Sequence, residues 1–269
     1  MRSAFLSLLC GLALVQSACT SHQPREDAAA SGPVEAAVSR QTAGSDERQR
    51  AKAHTELGRR YLFDGGFEVA LDEARIAIEI ESAYAPAHNL RGLVYMALRR
   101  NDLAETSFRE ALRLAPNDPE INNDYGWFLC RSQRSRESLA YFRVAIGNPL
   151  YQSLGTSLIN AGLCAVAAKE DRQAQEYFLR ALQSDRGNLT ALYWLADIAY
   201  RDNRPMEARL RLKDLHAQMT EPTAASTWLA LRVERKLGDR ENEARLTGQL
   251  RRKHRDSEEY LKLMRGEFD

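Results

Sequence analysis

Small and bulky apolar residues return along this chain at intervals close to 34 residues, and no other property of the sequence narrows its fold as far. With Gly92 as reference, Tyr95 follows three residues later, Ala104 twelve, Phe108 sixteen, Ala111 nineteen and Pro116 twenty-four. A period near 34 marks a two-helix unit stacked on copies of itself. Gly92 falls where the first helix is crossed closely by the second, and a side chain would hold the two apart. Ala104 and Ala111 are the small partners at that crossing. Phe108 fills the gap toward the next unit. Pro116, having no N–H to donate, ends the second helix.

The pattern recurs in register. One period earlier stand Leu57, Gly58, Tyr61, Ala70, Ala74 and Ala77; one period later stand Tyr125, Gly126, Ser138, Phe142 and Ala145. The next step is 36 and reaches Ala161, Gly162, Ala174, Phe178 and Ala181, and a further 34 gives Leu195, Ala196, Ala208, Leu212 and Leu215. A worn unit begins at Trp228 and Leu231 and keeps Ala244, but has Gly248 and Arg251 where apolar residues belong. Asp64-Gly65-Gly66, Asn101-Asp102, Asn203-Arg204 and Gly238-Asp239 supply turns between paired helices. The spacing resembles the tetratricopeptide (TPR) repeat and implies an all-α fold, a TPR α-solenoid of about six helix-turn-helix repeats.

At 44% hydrophobic content the chain can bury a sizeable core, and a net charge of +1 gives no electrostatic case for nucleic acid. No run reaches the roughly 18 to 20 apolar residues that a spanning helix needs. The N-terminus reads as an export leader over residues 1–18: Arg2 is followed by an apolar stretch from Phe5 to Val15, too short to cross a membrane. Gln16-Ser17-Ala18-Cys19 resembles the site cut by the bacterial lipoprotein signal peptidase, with Gln16 in place of the usual aliphatic residue. Lipidation of Cys19 is therefore expected, with ordinary secretion as the alternative. Thr20 follows where an aspartate would favour inner-membrane retention, so the outer membrane is the expected address, with the chain on its periplasmic face. Residues 19–48 then read as a lipidated cysteine and a disordered tether, rich in Ala, Ser, Gln, Arg and Glu. Some 28 residues of flexible chain reach about 30 Å. The repeat domain is expected over 49–269.

With Cys10 in the leader and Cys19 lipidated, Cys130 and Cys164 remain. They fall at the twelfth and tenth positions of adjacent first helices, about 200° apart around a helix. That offset points both thiols at one seam. A disulfide is expected there in an oxidising compartment and would add roughly 3 to 4 kcal/mol; two buried free thiols are the alternative.

In such a solenoid the first helices line the concave face, at about the second, fifth, ninth and twelfth positions of each repeat. Those positions give Lys52, Thr55, Arg59 and Leu62 with Phe63 adjacent, then Asn89, Leu93 and Met96, then Asn123, Trp127 and Cys130, then Ile159, Leu163 and Val166. Leu62, Phe63, Leu93, Met96 and Trp127 make an apolar stripe, with Asn89 and Asn123 as amides for a partner's backbone. Such a groove suits a helix or an extended segment; the competing reading is that several of these residues are core. Thr55 and Arg59 stand where a chaperone-type carboxylate clamp has Lys and Asn, so that mode is not matched.

Catalysis has little support, and no cofactor, metal or small-molecule substrate is expected. His22, His54, His88, His216 and His254 are scattered, and neither a zinc-type cluster nor a phosphate loop appears. The run Arg251-Arg252-Lys253-His254-Arg255 fits lipid head groups or an acidic partner, or simply the wet face of a capping helix.

One stretch is more specific. Asn122-Asn123-Asp124-Tyr125-Gly126-Trp127-Phe128-Leu129-Cys130 resembles the Asn-Asn-Tyr-Gly-Trp-Phe-Leu-Cys signature of the type IV pilus biogenesis/stability TPR lipoproteins, the PilW/PilF group, with Asp124 interrupting it. Asn148-Pro149-Leu150-Tyr151 and Asn160-Ala161-Gly162-Leu163-Cys164 match in order, and weaker matches run to Leu237-Gly238-Asp239. The resemblance implies a pilotin-like role: an outer-membrane lipoprotein that binds the pilus secretin and promotes its localisation and multimerisation, and so supports pilus biogenesis and twitching motility. A periplasmic TPR adaptor for outer-membrane or cell-wall assembly complexes is the alternative.

Overall fold

Six of the turns that join paired helices hold one residue in the left-handed region. They are Gly65, Arg99, Gln133, Lys169, Asn203 and Gly238, with φ between 57° and 82°. Each is followed by a backbone N–H that reaches back into the helix just ended, as from Gly66 to Tyr61 O at 2.8 Å and from Asp239 to Glu234 O at 3.0 Å. This is the helix-ending geometry that satisfies orphan carbonyls. Asn101 and Asp102 open the following helix rather than forming the turn, which is made by residues before them.

The structure, a computed structural model, describes the backbone of residues 32–268 and the side chains of residues 46–268. Within that range all regular structure is helical. The repeats pair α1 (Gly32–Phe63) with α2 (Phe67–Ile80), α3 (Ala85–Ala97) with α4 (Asn101–Leu114), and α5 (Pro119–Arg131) with α6 (Ser135–Gly147). Then come α7 (Leu154–Ala167) with α8 (Asp171–Ser184), α9 (Leu189–Arg201) with α10 (Pro205–Ala217), and α11 (Ala224–Leu237) with α12 (Arg240–Lys253). A last helix, α13 (Glu258–Arg265), packs on α11 and α12. The chain is an all-α TPR solenoid.

Residues 1–43 and 44–269 form two units, and the packed repeats belong to the second. The leader, Cys19 and the first part of the expected tether lie outside the described residues. The helical backbone begins at Gly32, ahead of the start expected at 49. Between Pro33 and Pro86 no proline interrupts a stretch rich in Ala, Glu, Gln and Arg, so helix propensity alone carries α1 backward.

The first helices start on side-chain caps where the sequence offers them. Asp118 accepts from the N–H of Glu120 and Ile121, with Pro119 at the first helical position; Asn188 caps α9 and Thr223 caps α11. A Cβ on Gly92 would stand 2.8 Å from the Phe108 ring, and one on Gly162 2.5 Å from the Phe178 ring. The bulky residue of each second helix thus lies on the glycine of its own repeat. Phe108 also touches the next repeat, with ring centroids 5.9 Å from Tyr125 and 5.4 Å from Phe128. One ring closes the hairpin and seals the seam.

The worn repeat is shifted by one residue. Its left-handed turn, Gly238, follows Asn203 by 35, and Leu250 is fully buried while Ala244 is exposed. The inward positions are therefore Glu243, Thr247 and Leu250, not Ala244, Gly248 and Arg251. Glu243 takes the place of Ala208, its carboxylate paired with Arg235 and Arg240. The step of 36 between the third and fourth repeats has a local cause as well. Their linker, 148–153, has two residues more than the linkers 81–84, 115–118 and 185–188.

Candidate functional site: the inner wall

First helices pack on one another, α3 on α5, α5 on α7 and α9 on α11, and make the inner wall of the solenoid. A row of polar side chains crosses it. Asn89 Nδ2 donates to Asp124 Oδ2 at 2.7 Å, Asn123 Nδ2 donates to Asp124 Oδ1 at 3.1 Å, and Asn160 Nδ2 donates to Asn123 Oδ1 at 3.3 Å. Arg59 on α1 pairs with Glu120 on α5, two repeats away. Asp124 is half-buried as a residue, and its carboxylate is the enclosed part. Burial pushes that carboxyl up to about 6, against the pull of the Asn89 amide and the Arg59 charge, with Glu120 adding to the rise. Tyr151, from the long linker, stands near the same carboxylates. Burial first, then Asp124 and Glu120, push its hydroxyl up to about 12.

The expected groove residues divide into three groups. Thr55 is buried and its hydroxyl donates to Ala51 O at 2.8 Å, so it belongs to the interior. Asn89 is fully buried and Asn123 nearly so; Asn89 Nδ2 and both polar atoms of the Asn123 amide bond within the polar row, and none is offered to a partner's backbone. Both stand at positions where neighbouring first helices close on each other, so the competing core reading holds for these three. Leu93 and Met96 are half-buried against Phe108, Tyr125 and Phe128, and Trp127 is half-buried against a cluster containing Leu158, Ala161 and Phe178. Arg59 keeps a third of its side chain exposed, and Leu62 rests on Ala70 and Ala74. Phe63 is 83% exposed at the end of α1, touched by the Arg60 guanidinium. The wall thus keeps Leu93, Met96, Trp127 and Arg59 partly open, and Phe63 stands free of the packed row.

Cys130 on α5 and Cys164 on α7 are joined in the structure as a disulfide, with Cα atoms 5.7 Å apart. Asp124, Asn160 and Tyr151 were not singled out by sequence spacing as wall residues. A signal existed: Leu90, Asp124 and Asn160 hold one repeat position, so a carboxylate there has to find partners inside the stack. The linker also presents Leu150, 87% exposed, behind a turn in which its N–H donates to Asn148 Oδ1 at 2.9 Å. Among the described residues no three His, Cys, Asp or Glu side chains gather as metal ligands, and no helix is long and apolar enough to cross a membrane.

Residues 85–118 and 154–215 match tetratricopeptide-repeat families. The type IV pilus assembly protein PilF of Pseudomonas aeruginosa is 31% identical over 217 residues, covering 81% of this chain and 85% of that protein. The crystal structure of PilW, a widely conserved type IV pilus biogenesis factor, superposes with a TM-score of 0.70 at 27% identity, covering 80% of this chain and 98% of the other. The structure of Pseudomonas aeruginosa PilF superposes with a TM-score of 0.74 at 27% identity, covering 82% and 99%. YrrB, a TPR protein with an unusual peptide-binding site, shares only the fold, at 18% identity and a TM-score of 0.55. Sequence and fold agree along most of the chain, which belongs to the type IV pilus biogenesis TPR proteins.

Proposed function

We propose that the protein is a pilotin-like lipoprotein scaffold, held to the periplasmic face of the outer membrane by a lipid on Cys19, that binds the pilus secretin and promotes its multimerisation there. The observation that carries this is the partly open stretch of wall around Leu93, Met96 and Trp127 in a chain 31% identical to a type IV pilus assembly protein. An apolar wall framed by fixed polar groups suits capture of a polypeptide segment. The reading is of a binding protein rather than an enzyme. The residues between Cys19 and the packed repeats let captured subunits stay near the membrane while the repeats remain in the aqueous space. The test is deletion of the gene followed by a mild-detergent gel of the membranes: secretin multimers are expected to be lost and to return with the wild-type chain. Unchanged multimers would overturn the proposal, and capture of β-barrel assembly or murein enzymes in their place would favour an adaptor.

A further inference from the structure

The one-residue shift of the last repeat changes which side chains face the inner wall. Counted from Gly238, the wall positions of α11 are Trp228, Arg232 and Arg235, answering Tyr193, Asp197 and Tyr200 on α9. Arg232 is unusual among them. Its guanidinium carbon lies 4.7 Å from the centre of the Tyr200 ring and 5.9 Å from that of Trp228. Its Nε is buried and meets no acceptor, and among the described residues no carboxylate lies within 4 Å of it. One turn on, Lys236 Nζ sits 4.8 Å from the centre of the same Tyr200 ring, and among the described residues it too has no carboxylate partner. Three of the nearby acids are paired elsewhere and one is not. Asp197 pairs with Arg201 at 2.8 Å, Glu234 with Arg209, and Glu243 with Arg235 at 2.8 Å, while Glu259 on α13 stands near Tyr193 in no ion pair.

A half-buried guanidinium held between aromatic faces is fixed in orientation, and a planar fork fixed in this way suits a carboxylate taken by two parallel N–H donors. The Nε is enclosed and meets no acceptor, while the two Nη groups of the half-buried side chain carry no hydrogen bond among the described residues and are the donors left for an incoming carboxylate. The wall beside it also accepts an aromatic ring: the chain's own Phe268 stacks on Trp228 with centroids 5.3 Å apart, and the Arg235 guanidinium carbon lies 4.0 Å from the centre of the Phe268 ring. We infer that Arg232, walled by Tyr200 and Trp228 and seconded by Lys236, is the recognition point for a glutamate or aspartate on an acidic, aromatic-bearing segment of the partner polypeptide. This rests on the reading that the inner wall takes a polypeptide, and adds the chemistry of the segment and its place at the C-terminal end of the wall.

The test titrates the full chain, in detergent micelles, with a labelled peptide rich in glutamate and carrying one phenylalanine, beside its glutamine twin. The glutamate peptide is expected to bind at least about tenfold more tightly. Arg232→Gln should remove that preference, Arg232→Lys should restore only part of it, and Lys236→Gln should reduce it by a smaller factor. Helical circular dichroism establishes that each variant is folded; the Lys236 change, on an exposed residue, reports on the site even if Arg232→Gln unfolds. Equal binding of the two peptides, no binding of either, or a preference that survives Arg232→Gln would each overturn the inference. So would a dependence on Arg232 seen only with phosphatidylglycerol vesicles, which would make the site a lipid contact. Secretin multimers are read separately: their persistence after gene deletion defeats the pilotin reading and leaves the peptide site standing.

Discussion

The amide of Asn89 on α3 donates to the carboxylate of Asp124 on α5 at 2.7 Å, while the oxygen of the same amide, Asn89 Oδ1, is buried without a partner. Asp124 therefore joins two repeats as a charged acceptor inside their seam. Its folded pKa near 6 stands above the roughly 3.9 of an unfolded aspartate. The folded chain takes up the proton first, so stability gained through this group rises as pH falls from about 6 to about 4, and is absent above about 7. Asp124→Asn removes the buried charge, and a turn of the Asn89 amide lets its Oδ1 accept from the new N–H₂ in place of the present Nδ2 bond. We expect the variant to be about 1 to 2 kcal/mol more stable near neutral pH and to lose that margin near pH 4. Urea midpoints at the two pH values measure this, and an equal or weaker neutral midpoint would contradict it.

The glycines of the first helices should rank by the space above them. Gly162→Ala places a Cβ 2.5 Å from the buried Phe178 ring and is expected to cost about 1 to 3 kcal/mol. Gly126→Ala, at 3.2 Å from Phe142, should cost less. Gly155 lies in α7 with nothing within 4 Å, and Gly155→Ala should be neutral or stabilise by roughly 0.5 to 1 kcal/mol. Thermal melts of the three variants check the order, and a harmless Gly162→Ala would mean the hairpin crossing is looser than the ring contact requires.

The Cys130–Cys164 bond closes a segment of 34 residues. Reduction, or paired replacement by serine, should lower stability by about 3 to 4 kcal/mol while the helical content at low temperature is kept. Peptide mapping without reductant should recover the two cysteines in one linked fragment. Free thiols on both in protein exported to the periplasm would remove the bond from the native state.

On the wall itself, Trp127→Ala and Leu93→Glu should each weaken capture of the secretin by more than about tenfold. Both side chains are half-buried, so the circular-dichroism spectrum should survive the change. A melted spectrum would return these residues to the core, and unchanged capture would move the contact elsewhere.

Much of this architecture could be read from residue spacing. A 34-residue ruler places Gly92 with Phe108 and Gly162 with Phe178 at matching positions, but it assigns alanines to the glycine crossing and aims the ring at the next repeat, whereas each ring also lies on the glycine of its own repeat. What the ruler missed has identifiable causes. The turn at Arg99 was hidden because left-handed geometry is carried there by an arginine, with no glycine to announce it. The last repeat was read one residue late because Glu243 occupies an alanine's place, and a charged residue is not counted as inward until Arg235 and Arg240 are seen around it. Asn89 and Asn123 were placed on the right helix face, but their burial depends on Asp124 and Asn160 across the seam, which no single helix reveals.

The inner seams are unequal, and this bears on how the protein moves. Side-chain bonds and the disulfide tie α3, α5 and α7 into one block, whereas among the described residues no side-chain hydrogen bond joins α7 to α9, whose hold on the preceding repeat runs through α8. This seam is held by apolar packing, and we expect the stretch bearing Trp127 and the stretch bearing Arg232 to swing about it like the jaws of a calliper. Spin labels on α5 and α11 should then report a broad distance distribution that narrows when both jaws close on one segment.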